Sequence, residues 1–245
     1  MKKNRKAKPI FPQFLGNVVV RPFQKIAGSG INEPLLRGII GGLGFALPII
    51  LVAVGLGLHG WPPLGSLSDY YIWRTRDAFV GILFVIGWFL FAYKGYEKID
   101  AIAGKLACLF ALGVALFPNT EGSWERYVHF TCATLMFMIL AFFSLYLFTK
   151  TDTSPQGLWP TVKSFRFRAA WRGEKVKTEK RNRNRVYIIC GVVIAACIVL
   201  VAIYNLFFQH TVIENIKPVL ILETIMIWAF GFSWFVKSNL FILKD

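Results

Sequence analysis

Apolar residues in this chain run together in long blocks rather than alternating with polar ones. Residues 38–58 form an uncharged stretch of 21. Further blocks cover residues 78–93, 101–117, 127–149, 186–208 and 219–236. A helix needs about 20 apolar residues to cross the hydrocarbon core of a bilayer, within a range of about 17–25. Backbone groups in lipid must be satisfied inside the segment, so each block is expected to be helical. The pattern predicts an all-α polytopic membrane protein, a bundle of six transmembrane helices. The block at 78–93 is short and ends at Lys94, whose ammonium can snorkel to the headgroups. Lys105 and Glu223 lie inside the blocks at 101–117 and 219–236.

The loops orient the bundle. With six spans and the N-terminus inside, 23 Lys and Arg fall on the cytoplasmic side and four on the outer side. That bias follows the positive-inside rule and places both termini in the cytoplasm. Four parts follow: a basic N-terminal segment (1–37), spans one to four (38–149), a basic cytoplasmic loop (150–185), and spans five and six with a short tail (186–245). The first segment lacks a compact apolar stretch before a small-residue cleavage site, so no removable signal peptide is expected.

Composition agrees with the pattern: 56% of residues are hydrophobic and only 17% charged. The net charge of +15 is mostly cytoplasmic. In the 150–185 loop aromatics are mixed with Lys and Arg, a composition that suits anionic inner-leaflet lipids; nucleic acid is not expected as a partner. All four cysteines (Cys108, Cys132, Cys190, Cys197) lie in apolar blocks, which points to packing roles and not to a disulfide framework. Span one opens with Gly38 and Gly42 four apart, a spacing that lets helices approach closely. It would serve a homo-oligomer seam or packing inside one bundle. Pro48 should kink this span or weaken one turn.

Ionisable groups in or near membrane helices want partners and mark candidate sites. Arg76 and Asp77 at the start of span two, His129 in span four and Glu223 in span six fall at one depth, and Ser68 and Asp69 lie in the first outer loop, nearby in sequence. If the bundle is compact they could converge near the outer face. A carboxylate beside an imidazole can move a proton. Asp77, His129 and Glu223 are weak candidates for a divalent metal; no other cofactor is predicted. Ser68 could be a nucleophile if a base reached it. Lys105 can snorkel or pair with Glu97 and Asp100. No fixed-spacing catalytic motif or phosphate loop is present.

Several segments together resemble a group of bacterial multi-pass inner-membrane proteins that carry a domain of unknown function. They are SLSDYY (66–71), RDAFVGILF (76–84), FLFAYKGYEKID (89–100), ALFP (115–118), Val128-His129, LFTK (147–150) and FVKSNLFILKD (235–245). The resemblance implies six spans and a bacterial inner membrane, and brings no activity with it. A looser similarity is to membrane hydrolases of the ceramidase and adiponectin-receptor type, with Ser68, Asp77 and His129 in the matching parts. The paired histidines four apart that those enzymes carry on a late helix have no counterpart here. The expected function is a non-enzymatic lipid- or small-ligand-binding or accessory membrane component. The alternatives are a metal-assisted or acid–base lipid hydrolase and a small proton-coupled transporter working through Glu223.

Overall fold

A computed structural model describes residues 33–71, 75–150, 178–208 and 211–239. The six main elements are α1 (Glu33–His59), α2 (Arg76–Ala92), α3 (Lys98–Leu116), α4 (Trp124–Phe142), α5 (Thr178–Phe207) and α6 (Pro218–Ser238). Two short 3-10 turns, Ser68–Tyr71 and Val212–Ile216, precede α2 and α6, and α4 runs on into a π-helical turn at Phe143–Leu147. The described residues hold no strand. Five of the helices are long and apolar enough to cross a membrane; the remaining one, α2, has 17 residues.

Each helix packs against the next one in the chain, and α6 returns to pack against α1. The result is a closed up-and-down ring of six helices. One end, here the mouth, gathers the segment after α1, the start of α2, the α3–α4 turn and the start of α6. The other end, the base, gathers the start of α1, the α2–α3 turn, the end of α4, the start of α5 and the end of α6.

The base is fastened by polar and cation–aromatic contacts. Arg37 pairs with Glu33 one turn before it and lies 5.6 Å over the Tyr93 ring. Asp100, almost wholly buried, accepts the N–H groups of Tyr96 and Glu97 at 2.7 and 3.0 Å and so caps α3. The close turn behind it needs Gly95, whose φ is +62° and where any Cβ would meet Asp100 at 2.3 Å. Lys150 brings the countercharge, 2.9 Å from Glu97 and 3.5 Å from Asp100. The sequence offered Lys105 for that pairing. Five residues from Asp100 is about 140° around a helix, so Lys105 faces outward and lies 6.0 Å from the Phe91 ring.

Two apolar cores fill the ring. The larger, toward the base, centres on Trp234, which is packed against Tyr93, Phe143, Phe148 and Phe230 at centroid distances of 5.1–5.7 Å. The smaller lies at the mouth and includes Leu67, Tyr70 and Tyr71 from the segment after α1. Trp88, Ile102, Leu109, Ile189 and Val199 are exposed on the outside, where such residues meet lipid in a membrane protein. All four cysteines are free thiols, three of them buried.

The close helix seam is not at Gly38 and Gly42. It lies one residue before Gly42, where Gly41 of α1 meets Gly231 of α6: a Cβ at Gly41 would sit 2.8 Å from the Gly231 carbonyl oxygen. The seam is within one bundle. Gly41→Ala should therefore cost about 1–3 kcal/mol through forced separation of the backbones, read as a lower thermal midpoint in detergent. The α5 helix begins at Thr178, inside the stretch read from sequence as loop, because charged residues continue a helix without difficulty once it leaves an apolar run.

Candidate functional site: the polar cluster at the mouth

The chain leaves α1 at His59, and the segment that follows turns back into the ring. Its 3-10 turn at Ser68–Tyr71 is buried at Ser68, Tyr70 and Tyr71. Gly55 of α1 makes room for it, since a Cβ there would overlap the Tyr70 ring at 2.1 Å. Burial raises the Tyr70 phenol above its ordinary pKa, so it stays neutral, and its oxygen accepts the Leu64 N–H at 3.4 Å. Thr75 donates to the Tyr70 carbonyl at 2.7 Å, and Tyr71 donates to the Leu116 carbonyl at 3.3 Å.

Four of the six residues singled out from sequence meet around this turn. His129 of α4 is fully buried. Its Nδ1 is 2.7 Å from the Phe117 carbonyl oxygen and its Nε2 is 2.9 Å from Ser68 Oγ. A carbonyl only accepts, so Nδ1–H is the donor there. A neutral ring then offers Nε2 as acceptor, and Ser68 Oγ–H donates to it. Asp69 is held on both oxygens: Asn119 donates to Oδ1 at 3.0 Å, and the Ser66 N–H donates to Oδ2 at 2.9 Å. The Asp69 N–H returns a bond to Ser66 Oγ at 3.1 Å. Glu223 of α6 accepts the Leu67 N–H at 2.7 Å, and the Leu220 N–H at the start of α6 bonds the Gly65 carbonyl at 3.0 Å.

Arg76 and Asp77 stand apart. Both are exposed at the start of α2. Arg76 reaches the cluster only through Tyr71, with its guanidinium 5.1 Å over that ring. Asp77, His129 and Glu223 therefore do not form a common ligand set. Among the described residues no group of three or more His, Cys, Asp or Glu could hold a metal ion. The basic N-terminal residues 1–32, most of the 150–185 loop and His210 lie outside the described residues.

Sequence reasoning missed Asn119, Ser66, Tyr70, Thr75 and the Phe117 carbonyl. The missing signal was local: Asn119 sits in a Pro-Asn turn, where a polar side chain is expected whether or not it reaches inward.

Chemically, the cluster joins one segment to two helices and the connection between α3 and α4. His129 ties the turn to α4, Asn119 ties it to the α3–α4 connection, and Glu223 ties it to α6. Ser68 and His129 also have the spacing of a hydroxyl nucleophile and its base, with the base oriented by a third group. However, Ser68 is only 5% exposed and His129 not at all. Comparisons with family models, curated proteins and solved structures find no match to this chain.

Proposed function

We propose that this chain is a non-enzymatic accessory component of a bacterial inner membrane, whose outer polar site is a latch. The observation that carries this is how far the site is engaged from within: the Ser68, Asp69, His129 and Glu223 side chains each bond a neighbour, with Asn119 Oδ1 the one buried side-chain atom of the cluster without a partner among the described residues, and the nucleophile–base pair is buried. A site built to take a ligand or a substrate would aim polar groups into open space.

The same proposal has six spans with both termini cytoplasmic. Helix α2, about 25 Å long at 1.5 Å per residue, lies between α1 and α3 and is needed to close the ring. Its modest shortfall against a hydrocarbon core of about 30 Å is within what flanking residues and local thinning accommodate. The ring brings the start of α1 and the end of α6 to one end, and the Lys and Arg bias favours that end as cytoplasmic. A reporter fused after Asp245 should read cytoplasm; a periplasmic signal would overturn the topology.

The 2.9 Å Ser68–His129 contact favours a second reading, hydrolysis of a lipid ester. Ser68 Oγ would attack the acyl carbonyl while its proton passed to Nε2. The leaving alcohol would take that proton, and water would then release the acid from the acyl-serine. The two readings separate with a fluorophosphonate probe on purified protein in lipid nanodiscs. The latch predicts no adduct on Ser68. An adduct on Ser68 that His129→Ala abolishes would establish the second reading in its place.

A further inference from the structure

The connection between α5 and α6 is built unlike the segment after α1. Leu206, Phe207, Phe208, Val212, Ile213 and Ile216 are all exposed, Val212 at 84% and Leu206 at 75%. The described part of this hairpin carries two charged side chains, Glu214 and Lys217. None of its residues from 211 to 216 is covered by the bundle. By contrast, the segment after α1 buries Leu67, Tyr70 and Tyr71 in the mouth.

The depth of the hairpin follows from helix register. Ser144 of the π-turn bonds Ser233 of α6 at 3.0 Å, and Gly191 of α5 packs on Leu145, so these positions share one level. From there, at 1.5 Å per residue, Phe207 lies about 24 Å toward the mouth and Pro218 about 22 Å. Tyr127 lies about 25 Å and Trp124 about 30 Å along α4 by the same rise. Those two aromatics are exposed, as is Trp61 just past the end of α1. Exposed Trp and Tyr at a common level mark the headgroup boundary of a membrane protein. The hairpin therefore begins at that boundary, where the exposed apolar side of α5 reaches Phe208.

We infer that the α5–α6 hairpin is an interfacial anchor, immersed at the headgroup–acyl boundary of the outer leaflet, with lipid as its occupant. Depth, few charges and continuity with the exposed side of α5 all select lipid over an aqueous partner. An amphipathic segment of this kind buries its apolar side about 5–10 Å into the boundary. The inference rests on the membrane reading above and extends it to a segment that no spanning rule covers.

The test is a spin label at Val212→Cys, and separately at Ile216→Cys, in protein reconstituted in phosphatidylcholine–phosphatidylglycerol vesicles. Label uptake is referenced to the unsubstituted protein, whose four native thiols lie within the bundle helices. The expected result at both sites is severalfold greater collision with oxygen, which partitions into lipid, than with a water-soluble nickel chelate. Greater collision with nickel at both sites would overturn the inference and leave a water-facing surface. Dipolar broadening between labels, lost on dilution with unlabelled protein, would overturn it in favour of a second copy. The fusion-reporter result above fails separately, because a hairpin in the opposite leaflet would still show the oxygen signature.

Discussion

His129→Ala should destabilise the protein by about 3–5 kcal/mol, summing a lost imidazole volume and two buried polar groups left without partners. Ser68 Oγ and the Phe117 carbonyl both depend on this ring. For a chain of this size such a change corresponds to a thermal midpoint lower by roughly 6–20 °C, measured by scanning fluorimetry in detergent. His129→Asn is the informative companion. Its amide can still donate to the Phe117 carbonyl but is too short to reach Ser68, so about half of the loss should return. If His129→Ala were as stable as the parent, the cluster would not be a latch.

Trp234→Ala should cost about 3–5 kcal/mol as well, for a different reason. Trp234 is fully buried and touches four aromatic rings, Tyr93 just past α2, Phe143 and Phe148 in and just past the π-turn, and Phe230 of α6 itself. Removing it empties the centre of the larger core. Its indole N–H, however, has no hydrogen-bond partner among the described residues. Trp234→Phe gives up some volume but also removes a buried donor whose lack of a partner costs about 1–3 kcal/mol. That variant should lie within about 1 kcal/mol of the parent by the same reasoning. Comparable losses in Trp234→Ala and Trp234→Phe would show that the N–H is satisfied in solution.

The two variants separate what was legible in the sequence from what was not. Apolar block length carried the helices, because the requirement for about 20 apolar residues acts locally along the chain. It also carried the depth of His129 and Glu223, since depth along a helix is residue number times helical rise. Azimuth was beyond it. Asp77 shares the depth of the cluster yet is exposed, and Lys105 faces away from Asp100, which Lys150 reaches from a distant part of the chain. Uniformly apolar helices lack the one-sided pattern that tells an inward face from an outward one. The glycine seam shows the same limit: Gly38 and Gly42 had the expected spacing, but the face of α1 that meets α6 carries Gly41. Nor does any local pattern announce that residues 66–71 fold back into the mouth, because the contacts that hold them come from positions 50 or more away along the chain.

The central claim is that this segment is latched in the mouth by the polar cluster, and amide hydrogen exchange tests it most directly. The Leu67 N–H is bonded to Glu223 and the Leu220 N–H to the Gly65 carbonyl. In lipid nanodiscs, the peptide containing residues 64–71 should exchange slowly in the parent protein. In Glu223→Ala and in His129→Ala it should exchange at least about tenfold faster, corresponding to a loss of about 1.4 kcal/mol or more in local opening free energy, while peptides from the centres of α4 and α6 stay protected. Rapid exchange of residues 64–71 in the parent, or no change in either variant, would contradict the latch.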